Sequence, residues 1–542
     1  MRYLSVLLIA LAGSACNYLD YDETSGYEKE AMFEYFDRAK GMLTNVYTYL
    51  PSDFGSIDGA MRDAASDDAD YVWSSSDVHR FNDGSWSAIA TVDDCWNHFY
   101  EGIRAANLFL ENYQPDFPNL EWNTDYEELM KQYANYPYEA RFLRAFYHFE
   151  LVKRYNNIPL LDRTYTPEEV NRVTPSDFER VVAFIVDECD AIAPELPVSY
   201  ASVPGNETGR ITRGAALALK ARTLLYAASK LHNPQGDKQK WHDAALAAQS
   251  VVKLAEQTGC YALVKETSVN NLASKELILE RRVGDSNAFE KLNFPIGYEG
   301  GRSGTNPTQN LVDAFEIDGE AFDWNNADHV KAIYDTERRD PRLFTTLLHN
   351  RSVWKGEVVE TFYGGRNALP LEGASRTSYY LKKYLKEDVS LEDGRETSSR
   401  HVWVLFRYAE VLLNYAEALY EYGGSENYTD EEFELSPLAA VNLVRERAGA
   451  GALQVRNFAE QLRNERRVEL AFEDHRFWDV RRWMIAPSTT EIYGVKITGR
   501  GSNPQYERVL IETRVWNDRM YFYPIPSTEI FKNSNLIQNP GW

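Results

Sequence analysis

The sequence predicts a mostly α-helical protein, in which tetratricopeptide-like helix pairs form a scaffold and a loop-rich region is inserted into it. Apolar residues recur at three- to four-residue steps along many segments, which is the period of an amphipathic helix. Residues 51–93 lack this period and are rich in Asp, Ser and Gly, and residues 260–400 carry a Gly-rich loop and turn motifs. Long loops without their own pattern are usually functional, so we expect residues 51–93 to have a functional role.

The N-terminus reads as a processing segment. Arg2 precedes an apolar stretch at 4–11, and small residues at 12–15 lead to Cys16. The apolar stretch is far shorter than the ~20 residues that a spanning helix needs, so we predict a signal peptide at 1–15. Its end resembles a bacterial lipoprotein box, which makes Cys16 the expected lipidation site. The alternative is an ordinary secretory peptide cleaved near Ala15.

The helical period continues along most of the chain. It predicts helices at 28–50, 95–113, 138–159, 175–196, 211–231, 241–256, 308–315, 403–422 and 438–447. Within 138–159, small residues such as Ala140 and Ala145 alternate with Phe142, Phe146 and Phe149. Small residues that pack into large ones are typical of tetratricopeptide-type helix pairs.

Residues 463–483, the C-terminal charged stretch, are predicted to form an amphipathic helix of very high charge density. Glu465, Glu469 and Glu473 fall four residues apart on one stripe. They suggest either a metal or acid–base site, or an ionic network with arginines from elsewhere, such as Arg407, Arg445 and Arg447. Carboxylates at this spacing repel one another unless a cation intervenes, so the sequence favours the ionic network.

Composition argues against several classes of function. The net charge of −24 disfavours nucleic acid and anionic membrane surfaces as partners. The nine histidines are dispersed, and the sequence contains no HExxH, P-loop, GxSxG or strand-borne GxGxxG motif. We therefore predict no enzyme, no cofactor and no metal site. We interpret Asp67, Asp68 and Asp70 as a solvated acidic loop rather than a Ca²⁺ site, because their spacing does not match an EF-hand.

Aromatic residues in loops are the best candidates for ligand contacts. Their flat faces suit ligands with apolar C–H surfaces ringed by hydroxyls, as sugars have, and planar polar side chains beside them can donate hydrogen bonds. The alternative for each residue is local packing or a protein interface. The predicted ligand-binding residues are Trp73, Arg80, Asn82, Trp86, Tyr298, Arg302 and Trp324.

Several motifs together resemble the SusD/RagB family of surface nutrient-binding lipoproteins. The matching segments are 140–145, 306–312, 339–342, 379–384, 407–410, 442–449, 463–483 and 538–542. The resemblance implies one SusD-like unit over 16–542, with a helical part at about 16–260 and a C-terminal part at about 261–542 that includes the loop-rich insertion.

The resemblance also implies a function and a location. We expect a non-catalytic glycan-binding lipoprotein, anchored by its lipid to the outer membrane and facing the exterior. It would act as lid and substrate-capture subunit of a SusC-like TonB-dependent transporter. The alternative is a peptide-binding or protein–protein adaptor that uses the tetratricopeptide-like helices.

Overall fold

The computed structural model describes residues 30–265, 271–499 and 504–542. The helices are α1 (Phe36–Tyr47), α2 (Val78–Asp83), α3 (Trp96–Asn112), α4 (Tyr126–Tyr133), α5 (Tyr136–Tyr155), α6 (Pro167–Val170), α7 (Phe178–Ile192), α8 (Arg213–Ala228), α9 (Lys238–Thr258), α10 (Ala288–Asn293), α11 (Gln309–Ala314), α12 (Ala327–Lys331), α13 (Arg342–Thr346), α14 (Tyr408–Gly423), α15 (Pro437–Ala448), α16 (Phe458–Glu469), α17 (Arg476–Arg482) and α18 (Ser527–Lys532). The strands are β1 (Ala69–Tyr71), β2 (Leu277–Ser286), β3 (Thr305–Pro307), β4 (Leu347–Leu348), β5 (Val353–Trp354), β6 (Glu357–Val358), β7 (Tyr380–Leu381), β8 (Ser399–Arg407), β9 (Glu491–Thr498) and β10 (Gln505–Thr513). The predicted signal peptide and Cys16 lie outside the described residues.

The long helices form the scaffold, and the predicted helical fold is confirmed. Helices α1, α3, α5, α7, α8, α9, α14 and α15 follow one another in space, each packing against the next. Ala140 and Ala145 of α5 are fully buried, which lets neighbouring helices approach closely. In the described ranges no helix is both long and apolar enough to cross a membrane.

Capping residues fix where the scaffold helices begin and end. The Thr212 hydroxyl accepts a hydrogen bond from the Ala215 amide at the start of α8, as its position before the helix predicts. Gly449 ends α15 in the left-handed conformation that glycine adopts without strain.

The strands form two-stranded antiparallel pairs rather than one sheet. The pairs are β1 with β3, β2 with β8, β4 with β7, β5 with β6, and β9 with β10. Strand β8 corrects the prediction of a helix from residue 403, since that helix begins only at Tyr408. Val402 to Arg407 are buried on consecutive positions, so their apolar run shows no helical stripe that would distinguish the two structures.

The sequence predicts one continuous helix for the C-terminal charged stretch, but the structure has two helices. Helix α16 ends at Glu469 and α17 begins at Arg476. Between them Phe472 and Asp474 have φ of 60° and 61°, a left-handed conformation that stops the α-helix. Both are non-glycine residues, so no composition signal marked the break.

The ionic network predicted for this stretch is confirmed. The pairs are Arg342 and Arg445 with Glu465, Arg342, Arg407 and Arg447 with Glu469, and Arg407 and Lys383 with Glu473. All three glutamates are buried, so each carboxylate is stabilised by cations rather than by water. Arg342 and Lys383 were not among the predicted partners.

Asp67, Asp68 and Asp70 are buried in ion pairs, so the predicted solvated acidic loop is wrong. Arg467 donates to Asp67 and Asp68, and Arg476 donates to Asp67. Burial alone would raise the pKa of Asp67, but the two guanidiniums outweigh it and hold that pKa below its usual range. These contacts join the 62–71 segment to the C-terminal charged stretch.

His148 of α5 gives the fold a specific sensitivity to acid. Its Nε2 accepts a hydrogen bond from the Leu161 amide at 3.2 Å, and Nδ1 lies 2.8 Å from the Arg144 carbonyl oxygen. The proton of the neutral ring therefore sits on Nδ1, and protonating Nε2 would break the bond from Leu161. Burial, together with the nearby Arg144 guanidinium, lowers the pKa of His148 to about 4.

We expect the His148→Gln variant to have a weaker dependence of stability on pH than the native protein. Because the folded pKa lies below the unfolded value of about 6.5, the neutral ring stabilises the fold fully above that pH and loses its effect as pH falls toward 4. The difference in free energy of unfolding between native protein and variant should shrink by up to about 1.4 kcal/mol per pH unit in this range. Urea unfolding across this range measures it, and a constant difference would contradict the assignment.

Candidate ligand-binding site

Three loops meet beside the short β1–β3 pair. They are residues 71–76 after β1, 294–304 before β3, and 360–376. Tyr71 pairs with Thr305, and the Val72 amide donates to the Gly304 carbonyl oxygen at 3.1 Å. The Asn367 side-chain amide donates to the Ile296 carbonyl oxygen at 2.6 Å and so joins the other two loops. Backbone pairing and the Asn367 side chain thus hold the three loops together.

Trp73 is half-buried at this junction and is held on two sides. Its Nε1 donates to the Arg302 carbonyl oxygen at 2.8 Å, and the Arg302 guanidinium carbon lies 5.1 Å from the indole centroid. A Cβ on Gly373 would lie 3.1 Å from the indole, a tight contact, and the φ of 77° at this position also favours glycine. Trp73 with Arg302 and Gly373 is called the Trp73 platform below.

The Trp73 platform offers the groups that we expected for a ligand face. Arg302 is exposed, so the guanidinium can donate hydrogen bonds outward while it packs near the ring. The indole hydrogen bond goes to backbone rather than to a side chain, so the ring orientation does not depend on the Arg302 side chain.

Tyr298 lies in the 294–304 loop with Arg302. It is buried, whereas the sequence predicts an exposed side chain. Its hydroxyl donates to the Trp354 carbonyl oxygen at 3.1 Å, and the Arg366 guanidinium carbon is 5.1 Å from its ring centroid. Burial raises the pKa of Tyr298 to about 12. In this conformation the ring supports the loop from below and presents no open face.

Trp86 is also buried, with 1% of its surface exposed, so its expected exposure is wrong too. Its ring lies 4.5 Å from that of Trp542 and 4.6 Å from that of Phe81, between centroids. Residues at the far end of the chain therefore cover this tryptophan. The sequence around Trp86 carries no sign of that long-range packing.

The predicted donors Arg80 and Asn82 lie on α2, and their bonds are mostly internal. Arg80 donates to the Ala90 carbonyl oxygen at 2.5 Å, and the Asn82 side-chain amide donates to the Ala64 carbonyl oxygen at 3.2 Å. Asn82 is buried, whereas Arg80 is half-buried. Neither of these hydrogen bonds joins the Trp73 platform, but Asn82 lines the groove beside it.

Trp324 is half-buried at a different place. Its Nε1 donates to Asp313 Oδ1 at 2.9 Å, and its ring packs 5.5 Å from that of Phe322. The other Asp313 oxygen accepts from Arg508 at 3.1 Å. Within the described residues, no hydrogen bond or ring contact links Trp324 to the Trp73 platform.

A groove of about 430 Å³ adjoins the platform. Tyr71, His79 and Arg376 contribute to its walls, and His79 Nε2 lies 3.0 Å from the Trp73 carbonyl oxygen. Arg376 bridges Asp70 and Glu512 at 2.6 and 2.9 Å, which fixes one wall. In the part of the chain that the structure describes, no group of three His, Cys, Asp or Glu side chains is arranged to hold a metal ion.

Sequence reasoning missed two residues of the 360–376 loop. Arg376 forms the groove wall, and Tyr363 is 68% exposed on the 360–376 loop. Tyr363 follows Phe362 and precedes Gly364 and Gly365, so an aromatic pair next to two glycines was the available signal. The same loop exposes Leu369 and Leu371 at 43% each, so its surface is apolar as well as aromatic.

A helical scaffold that carries an aromatic, loop-built face and a side groove defines a binding protein. A model described as the SusD family matches residues 275–542, and one described as starch-binding associating with the outer membrane matches residues 17–225. The protein belongs to the SusD family.

Individual relatives agree with this assignment. The SusD-like protein P2 of Formosa agariphila is 28% identical over 433 residues, 74% of this chain and 73% of that protein. A SusD-like protein structure from Bacteroides fragilis is 28% identical, covers 94% of this chain and 98% of its own, and has a TM-score of 0.77. A SusD-like carbohydrate-binding protein structure from the same strain is 26% identical, covers 93% and 100%, and has a TM-score of 0.73.

Proposed function

We propose that this protein is a cell-surface glycan-binding lipoprotein that serves as lid and substrate-capture subunit for a SusC-like TonB-dependent transporter. The observation that carries the proposal is the Trp73 platform, an indole fixed by backbone with an exposed guanidinium beside it. A pyranose ring stacks its C–H face on such a ring while its hydroxyls accept from the guanidinium. Binding, rather than catalysis, is the role that these residues support.

The relatives support the same substrate class. One structural relative is titled a carbohydrate-binding protein, and one matching family model is described as starch-binding associating with the outer membrane. In the proposed arrangement Cys16 carries the lipid that anchors the protein to the outer membrane, and the Trp73 platform captures the glycan for the transporter.

Glycan binding is tested first on purified residues 17–542. Affinity gels and calorimetry against a panel of oligosaccharides should reveal binding to at least one glycan. Co-purification from membranes should recover an outer-membrane transporter with the full chain. The proposal would be overturned if no glycan of the panel bound and no transporter were recovered.

Anchoring through Cys16 gives a separate expected outcome. The Cys16→Ala variant should leave the membrane fraction, because one buried acyl chain contributes about 0.8 kcal/mol per CH₂ group and the variant has no other anchor in the proposal. Cys260→Ala is the matched control, since this half-buried thiol should not affect fractionation. Equal membrane recovery of native protein and Cys16→Ala would contradict lipidation at this residue.

A peptide-binding adaptor remains the second candidate because of another groove. It has a volume of about 420 Å³ and lies between α3, the 159–171 segment and α18, with Trp96, Tyr100 and Tyr165 on its walls. If a peptide is the ligand, Tyr100→Ala should abolish binding, and Trp73→Ala should leave it unchanged. The reverse result supports the glycan lid.

A further inference from the structure

Arg481 of α17 is a buried cation whose charge is not compensated as its neighbours' charges are. Its Nη1 donates to the Phe477 carbonyl oxygen at 3.1 Å, and its guanidinium carbon lies 3.4 Å from the Phe477 ring centroid. Its Nε is buried without a hydrogen-bond partner. No Asp or Glu of the described ranges forms an ion pair with it, whereas Arg476 and Arg482 on the same helix are both paired.

A small cavity adjoins Arg481. Its volume is about 40 Å³, and its walls include Asn82, Trp86, Arg514 and Met520 besides Arg481. Two arginines contribute to the walls, and no Asp or Glu does. Arg514 already donates to Glu512 and to the carbonyl oxygens of Ser66 and Ala69, so its charge is compensated outside the cavity.

The side-chain polar atoms on these walls that lack a hydrogen-bond partner are mostly donors. The Trp86 Nε1–H is buried without an acceptor, like the Arg481 Nε–H. One buried acceptor, Asn82 Oδ1, is also unpartnered, while the Asn82 amide nitrogen is committed to Ala64. An unpaired buried N–H group destabilises the fold, and an uncompensated buried charge destabilises it more. The site therefore lacks an acceptor that carries negative charge.

We propose that this cavity binds a small monovalent anion, such as chloride, as the counter-ion of Arg481. Its ligands are the N–H groups of Arg481 and Trp86. A single buried water needs roughly 10–15 Å³ of such cavity volume. The cavity of about 40 Å³ therefore holds a monatomic ion and one water, which donates to Asn82 Oδ1.

A water molecule alone is the competing occupant. It would satisfy both N–H groups and Asn82, but it would leave the guanidinium charge uncompensated. Burial lowers the pKa of Arg481 to about 10, because the loss of hydration outweighs the charge of Asp93, which acts on Arg481 without forming an ion pair with it. The bound anion would also tie α17 to Trp86, which lies on the segment after α2.

Thermal unfolding of the purified protein at fixed pH and fixed ionic strength tests this site. The unfolding temperature should rise and saturate as chloride or bromide replaces gluconate, which is too large to enter, because a ligand that binds only the native state stabilises it. Arg481→Met should lose this halide-dependent shift. Replacing a buried ion by an apolar side chain of similar volume is often tolerated, so the variant should fold.

Arg339 offers a matched control. It is buried, lies over the Phe322 ring and forms no ion pair with a carboxylate in the described ranges, but it does not contribute to this cavity. Arg339→Met should keep the full halide-dependent shift. Equal unfolding temperatures in chloride and gluconate, or a shift of full size in Arg481→Met, would overturn the proposal.

Crystals grown in bromide give a readout that needs no variant. An anomalous peak beside Arg481 Nε and Trp86 Nε1 is the expected result. Water density without an anomalous signal at that position would overturn the assignment.

Discussion

Replacing Glu469 by alanine is expected to destabilise the protein by at least about 3–5 kcal/mol, the usual cost of removing one partner of a buried ion pair. Arg342 Nη1 and Arg407 Nη1 donate to this carboxylate at 2.9 and 2.6 Å, and Arg447 also pairs with it. Burial alone would raise the pKa of Glu469, but these three guanidiniums outweigh it and hold that pKa far below its usual range. Without the carboxylate, three buried cations repel one another.

Denaturant unfolding of Glu469→Ala measures this effect. Glu460→Ala is the matched control, because Glu460 is exposed on the same helix and should change the free energy of unfolding by less than about 0.5 kcal/mol. Glu469→Gln keeps the shape but removes the charge and should be intermediate. Equal losses in Glu469→Ala and Glu460→Ala would show that the network contributes nothing to stability.

More of the fold than of the ligand-binding site could be predicted from the sequence, and the ionic network shows why. Helical periodicity is local, so the long helices follow from the sequence, and Thr212 and Gly449 mark two of their ends. Buried charges follow a general rule as well, since a buried carboxylate usually needs a cation beside it. The rule indicated that the glutamates of the C-terminal charged stretch are neutralised, although it did not identify Arg342 and Lys383.

Exposure of a loop aromatic is a different kind of property. Trp86 and Trp73 stand in the same irregular region and look alike in sequence, but Trp86 is covered by Trp542 and Phe81, whereas Trp73 is half-exposed. The covering residue Trp542 is the last of the chain. Because long-range packing decides which ring is free, single-sequence reasoning could name the region but not the ring. The break at Phe472 could not be predicted either, since no glycine or proline marks it.

If the proposed function is correct, Trp73→Ala is expected to weaken glycan binding by about 30-fold or more. Truncation of a central aromatic contact typically costs about 2 kcal/mol or more, which corresponds to that factor. Trp73 is half-buried at the surface, so the unfolding temperature should change far less than the affinity. Calorimetry with the glycan identified in the panel measures the affinity, and a thermal scan checks the fold.

Two further variants separate stacking from hydrogen bonding at the Trp73 platform. Trp73→Phe keeps an aromatic face but loses the bond to the Arg302 carbonyl oxygen, so it should retain part of the affinity. Arg302→Ala keeps that backbone bond and removes only the guanidinium, so the loss should be smaller than for Trp73→Ala. Trp122→Ala is the control, because Trp122 is 91% exposed in a different segment. Equal affinity of native protein and Trp73→Ala would exclude the platform as the ligand contact. That variant lacks the ring on which the sugar is proposed to stack.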